Sequence, residues 1–286
     1  MLSNAPRILS SDPDTAFAGP ILCVTVTTPD LDLTTAVYMA SFGVSRIAEG
    51  IIDPDMAAHW QAPALAGRRW ATLSGGLRLV ETEEVDAAPL ASLGWAALEL
   101  SVIDADAVFD RACAAGCTPL GAVRQLGSTP SIRAGQVAGP EGAAIYVTDV
   151  SAYAGPLDLS AATGDGACFI AVLASGNLEA DRAWLEDNGI GRRVTDREVA
   201  VPVLQDTLGV ASLRLSSVQM AGGCLIEIDG YPSQTPQRAM AMGLPAGMAM
   251  LSLVADIDGT PRPEHGGKVA RVDRLPGGAL LERVAR

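Results

Sequence analysis

One pattern returns along this chain about every 75 residues, and a repeat of that length restricts the fold more than any single motif does. Each copy opens with a β-type apolar run, turns through a short acidic segment into an amphipathic helix, and closes on a strand led by glycine. The first opens at Cys23-Val24-Thr25-Val26, turns at Asp30-Leu31-Asp32 and predicts a helix from about Leu33 to Phe42, stopped by Gly43. The second opens at Ala97-Leu98-Glu99-Leu100, turns at Asp104-Ala105-Asp106 and predicts a helix to about Ala115 before Gly116. The third opens at Ile170 and turns at Asn177-Leu178-Glu179; the fourth opens at Ala249. Asp30 or Asp32 is the expected cap of the first helix, because an Asp side-chain oxygen accepts from a free first-turn N–H. The closing strands start at Gly76, Gly142, Gly223 and Gly278. In the fourth copy Pro261 and Pro263, flanked by glycines, stand where the helix belongs, so that module is truncated. The expectation is an α+β chain of four βαβββ modules. One module leaves a sheet face bare, which is why such units pair. Pairing of consecutive modules puts two domains at 18–154 and 166–286, with the polar link Gly155 to Gly166 between them.

Composition narrows the partners. The chain has 286 residues with 20 Lys+Arg against 33 Asp+Glu, a formal charge of −13. Phosphate-backbone binding needs clustered basic surface, so nucleic acid is excluded as an expected partner. No export signal or long apolar run is evident, which predicts a cytoplasmic protein with no membrane partner. The odd, scattered set Cys23, Cys113, Cys117, Cys168 and Cys224 reads as free thiols rather than disulfides or a zinc site. No Walker loop, strand-to-helix GxGxxG, GxSxG elbow or HExxH is present.

Four such modules in register resemble the vicinal oxygen chelate superfamily, which includes glyoxalase I, extradiol dioxygenases and the bleomycin resistance proteins. Gly94-Trp95-Ala96-Ala97-Leu98-Glu99 and Gly139-Pro140-Glu141-Gly142 are similar to a glyoxalase-like bacterial branch. In metal-dependent members, a His on an opening strand and a Glu on a closing strand of each paired module grip a divalent ion. Here the matching opening slots are Cys23, Ala97, Ile170 and Ala249, and the closing slots are Val80, Tyr146, Glu227 and Glu282. The ligand set does not carry over, so no metal or other cofactor is expected. Glu227, Glu282 and His265 form the fallback trio. Paired modules can swap between chains in this superfamily, so the resemblance allows a homodimer.

Side chains two apart on a strand share a face. If Cys23 fills an inward slot, Thr25 does too; Glu99 shares a face with Ala97, and Arg78 with Val80. With Tyr146, these predict one cavity in the first domain lined by Cys23, Thr25, Arg78, Glu99 and Tyr146. The chemical reading is that Glu99 moves a proton, Tyr146 donates to a developing oxyanion or acts as the acid, and Arg78 holds an anionic or carbonyl group. The structural alternative is a buried Glu99–Arg78 ion pair. His59, Trp60 and Trp70 are either a ligand-covering hairpin or a cap on the sheet, and Gln136 is a further ligand-orienting candidate. Together these residues predict a metal-independent lyase or isomerase acting on a small oxygenated molecule. The alternatives are a non-catalytic small-molecule binder of bleomycin-resistance type and a dioxygenase-like metalloenzyme with a displaced site.

Overall fold

The computed structural model describes residues 17–126, 131–151, 155–159, 162–257, 260–262 and 268–286. The first module comprises β1 (Ile21–Thr28), α1 (Leu31–Phe42), β2 (Arg46–Ile51), α2 (Pro54–His59), β3 (Arg69–Leu73) and β4 (Leu77–Glu81). The second comprises β5 (Gly94–Val102), α3 (Ala105–Ala115), β6 (Thr118–Gln125), β7 (Ile132–Ala138) and β8 (Ala144–Val150). The third follows with β9 (Ala167–Ser175), α4 (Leu178–Asp187), β10 (Arg192–Val199), α5 (Pro202–Leu208), β11 (Leu213–Gln219) and β12 (Leu225–Gly230). A two-stranded ladder of β13 (Met240–Ala241) and β14 (Leu244–Pro245) leads into β15 (Met248–Ala255), β16 (Thr260–Arg262), β17 (Lys268–Arg274) and β18 (Leu280–Ala285). Among the described residues the fourth module has no helix, and most of the segment from Gly259 to Gly266 expected to replace it lies outside them.

The repeat is visible in its caps. Asp30, Asp104 and Asn177 each accept from the backbone N–H three residues on, at Leu33, Ala107 and Ala180. Gly43 and Gly116 end α1 and α3 at φ of 68° and 115°, a left-handed region that a Cβ disfavours.

Within each module the opening and closing strands lie parallel and adjacent: Thr25 beside Arg78, Glu99 beside Tyr146, Val172 beside Glu227, and Ser252 beside Glu282. The modules then join through antiparallel pairing of opening strands, giving two eight-stranded sheets. Their orders are β16-β17-β18-β15-β1-β4-β3-β2 and β10-β11-β12-β9-β5-β8-β7-β6. The partners differ from those expected. The first module joins the fourth and the second joins the third, so hydrogen-bonded pairing crosses the 155–166 link that was expected to divide two domains. All opening strands present similar free edges, and the entropy of closing a loop grows only logarithmically with its length. Sequence adjacency therefore gives consecutive modules little advantage.

Alternation divides each strand between two environments. Val24, Val26, Leu98, Leu100, Ile226, Ile228, Leu251 and Leu281 enter one core cluster that draws on both sheets together with α1 and α3. The Trp95 indole ties the sheets together by donating to the Leu280 carbonyl at 2.7 Å. The alternate residues, Thr25, Glu99, Glu227, Ser252 and Glu282 among them, point to the opposite faces, where the polar sites form. The five cysteines are free thiols, and no described helix is long and apolar enough to cross a membrane.

Candidate functional site: one sealed face and one open cleft

The first sheet brings Thr25, Arg78, Ser252 and Glu282 together on its central strands. Arg78 donates from Nε to Thr25 Oγ1 at 3.1 Å, and from Nη2 to Ser252 Oγ and Glu282 Oε2, both at 2.9 Å. Ser252 donates to the same Glu282 oxygen at 2.6 Å. On the other carboxylate oxygen, His59 Nε2 lies at 2.8 Å and Trp60 Nε1 at 3.4 Å. An ionised carboxylate only accepts, so His59 carries its proton on Nε2. The Arg78 guanidinium carbon also lies 4.7 Å from the centre of the Trp60 ring, a cation–π contact. Glu282 is 0% exposed and Arg78 4%. Met56, Ala57, Trp60, Ala62 and Leu65, from α2 and the turn after it, pack over this face with Val80, Met250 and Leu280. Trp60 is fully buried in this layer. Burial pushes the neighbouring Cys23 thiol up, opposed in part by Arg78, so it is no thiolate nucleophile.

The second sheet keeps the equivalent face open. Its cleft has a volume of about 1230 Å³ and is lined by Glu99, Gln136, Tyr146, Glu227 and Asp229, with Leu120, Val123, Val172 and Leu215 among the apolar walls. Glu99 on β5 and Tyr146 on β8 are neighbours in register. Glu227 and Asp229 share a face two residues apart on β12. Thr148 donates to Glu99 Oε2 at 2.9 Å. Burial, reinforced by the charge of Glu227, drives Glu99 up to about 8 despite that hydrogen bond. Asp229 is driven up to about 8 by burial and then by Glu227, with Arg197 opposing. Burial chiefly, then the carboxylates, holds Tyr146 well above the usual phenol range, so it remains an O–H donor. Arg197 approaches Glu227 at 3.8 Å, but its side chain is 51% exposed and solvent screens it.

No family model matches the sequence, and no curated protein matches it as a relative. Solved structures do match. Glyoxalase I from Zea mays superposes with a TM-score of 0.62 at 14% identity, over 93% of this chain and 92% of that one. A putative dioxygenase from Bacillus subtilis superposes with a TM-score of 0.56 at 13% identity, over 94% of this chain and 86% of that one. The chain has the vicinal oxygen chelate fold.

A metal centre of the kind this fold can carry does not fit the residues present. In the first sheet the Arg78 guanidinium occupies the carboxylate of Glu282, and a divalent ion there would meet a fixed positive charge 2.9 Å from that oxygen. In the second sheet the donors are carboxylates and a phenol. Among the described residues no three His, Cys, Asp or Glu side chains converge closely enough to hold a metal ion. The fallback trio does not assemble either: Glu227 and Glu282 lie in different sheets, and His265 falls outside the described residues.

The single cavity expected from the sequence is thus two sites. Cys23, Thr25 and Arg78 belong to the sealed face, and Glu99 and Tyr146 to the cleft, because the modules that carry them do not pair. The Glu99–Arg78 ion pair expected as the structural alternative does not form, because Arg78 pairs with Glu282 within the first sheet. Arg78 therefore cannot hold a ligand beside Glu99. His59 and Trp60 seal the first face, while Trp70 on β3 packs against Gly50 of β2 and helps to wall that cluster. Gln136 reaches the cleft, opposite Tyr146 in the β7–β8 ladder. Sequence reasoning missed Asp229 and Ser252. Their signal was the alternation in Leu225-Ile226-Glu227-Ile228-Asp229 and in Leu251-Ser252-Leu253, readable only once the strand partners are known.

Proposed function

We propose that the protein works on a small oxygenated organic molecule in the second-sheet cleft, as a lyase or isomerase that moves a proton without a resident metal. One observation supports this reading above the rest: Glu99, a carboxyl driven up to about 8, lies at an open cleft beside the phenol of Tyr146. A group poised near the working pH can both give and take a proton, which is what general acid–base catalysis asks of it. Tyr146 then donates a hydrogen bond to oxygen as negative charge develops there. The five free thiols are consistent with the reducing cytoplasm as its setting.

A binding protein without turnover is the second reading, favoured by the size of the cleft and its apolar walls. Solvent exchange separates the two. A panel of small hydroxy-ketones and keto acids in D₂O, followed by proton NMR, should show deuterium entering beside a carbonyl, with a loss of about a hundredfold or more in Glu99→Gln. A panel member that binds in the cleft but exchanges no faster than in buffer would favour the binding reading instead.

A further inference from the structure

The ionic character of the cleft is one-sided. Its floor carries buried Glu99 and Asp229 and half-buried Glu227, and the arginines among its described lining residues, Arg124 and Arg197, are both exposed. Asp229 is only 5% exposed, lines the cleft, and has an Oδ1 that no hydrogen-bond donor among the described residues reaches. A buried carboxylate oxygen with no donor is costly unless something else supplies one. The first sheet shows how the chain meets a similar need elsewhere, with the Arg78 guanidinium seated on buried Glu282. Among the described residues no side chain performs that service for Asp229.

We propose that the cleft recognises an organic ammonium, its cationic nitrogen seated among Glu99, Glu227 and Asp229 and its apolar body lying along Leu120, Val123 and Val172. The proposal rests on the cleft being the ligand site and adds the class of ligand. An ammonium fits where a divalent metal does not. A metal pulls its oxygen ligands in to about 2.0–2.6 Å, whereas an ammonium donates to acceptors spread at about 2.7–3.0 Å. A cation among these carboxyl groups favours their ionised forms against the burial that raises them, whereas an anion would add to the charge that already opposes their ionisation. The formal charge of −13 also biases the approach of cations over anions.

The test uses three fluorescent probes that share one body: dansylcadaverine, which ends in an ammonium, its N-acetyl derivative, which is neutral, and dansyl-aminohexanoate, an anion. Titrated into the full chain, the amine should bind at least about tenfold more tightly than the acetylated probe, as expected of charge-assisted contacts, with the anion weakest. Asp229→Asn should cut that advantage to a few-fold and leave the affinity for the acetylated probe unchanged. Glu227→Gln, at a half-buried position, serves the same purpose if Asp229→Asn does not fold. Ala122→Trp, placed on the exposed cleft wall, should abolish binding of all three. Equal affinity for the amine and its acetylated form, lost in Ala122→Trp, would overturn the ammonium and leave the cleft standing as the ligand site. Amine binding that survives Ala122→Trp would overturn both. Failure of the amine to bind at up to about 1 mM would overturn the ammonium site.

Discussion

The two sheets are built from like modules, yet they treat buried charge in opposite ways. In the first, Glu282 is held by Arg78, Ser252, His59 and Trp60, and apolar residues of α2 and its following turn close over the group. In the second, Glu99 has Thr148, Asp229 has an unserved oxygen, and the face opens to a cleft of about 1230 Å³. Satisfying a buried carboxylate internally yields a rigid plug, whereas leaving it unsatisfied beside open space leaves a site with chemical work to do. The difference turns on few positions. An arginine stands beside Thr25 on one closing strand, while a tyrosine stands beside Glu99 on another.

The strongest way to break this contrast is to unseal the first face. Arg78→Met removes one partner of a fully buried pair and should cost about 3–5 kcal/mol in urea denaturation, with Arg78→Met/Glu282→Leu recovering much of the loss. A cost below about 1 kcal/mol would mean that the pair is not holding that face together.

A second test reads the open cleft through pH. Glu99 and Asp229 ordinarily titrate at 4.5 and 3.8 but are driven to about 8 when folded, so between these limits the folded chain keeps protons that the unfolded chain has released. Raised carboxyl values make stability fall as pH rises from about 4 to about 8 and level off above, by up to about 1.4 kcal/mol per pH unit for each group. Buried Glu141, which accepts a short hydrogen bond from the Tyr38 phenol, is raised to about 7 by burial and adds to the same slope. Glu99→Gln should therefore make the slope shallower without abolishing it. An unchanged slope would show that the Glu99 carboxyl is not raised. The smallest effect belongs to the seal: His59→Leu deletes one of the hydrogen bonds to Glu282 and should cost about 1–3 kcal/mol at pH 7, less than Arg78→Met.

Much of this architecture is legible before any coordinates. Acidic turns at Asp30, Asp104 and Asn177 and the stops at Gly43 and Gly116 mark the helices, because capping is local chemistry. The facing of Arg78 with Thr25 and of Glu99 with Tyr146 also follows from alternation and from parallel pairing inside one module. What local rules cannot supply is which module meets which. That choice is made by long-range packing, and it decides that Arg78 meets Glu282 across 204 residues instead of Glu99. His59 illustrates the same limit, since its role as a donor to Glu282 depends on a partner 223 residues away.

The measurement closest to the central claim is a map of amide chemical-shift changes, by transverse-relaxation-optimised NMR, as dansylcadaverine is added to the full chain. Shifts concentrated at Gln136, Tyr146, Val172, Glu227 and Asp229, with Thr25, Arg78 and Glu282 unmoved, are the predicted result. Shifts centred on Arg78 and Glu282 would contradict it, because they would place the ligand inside the face described here as sealed.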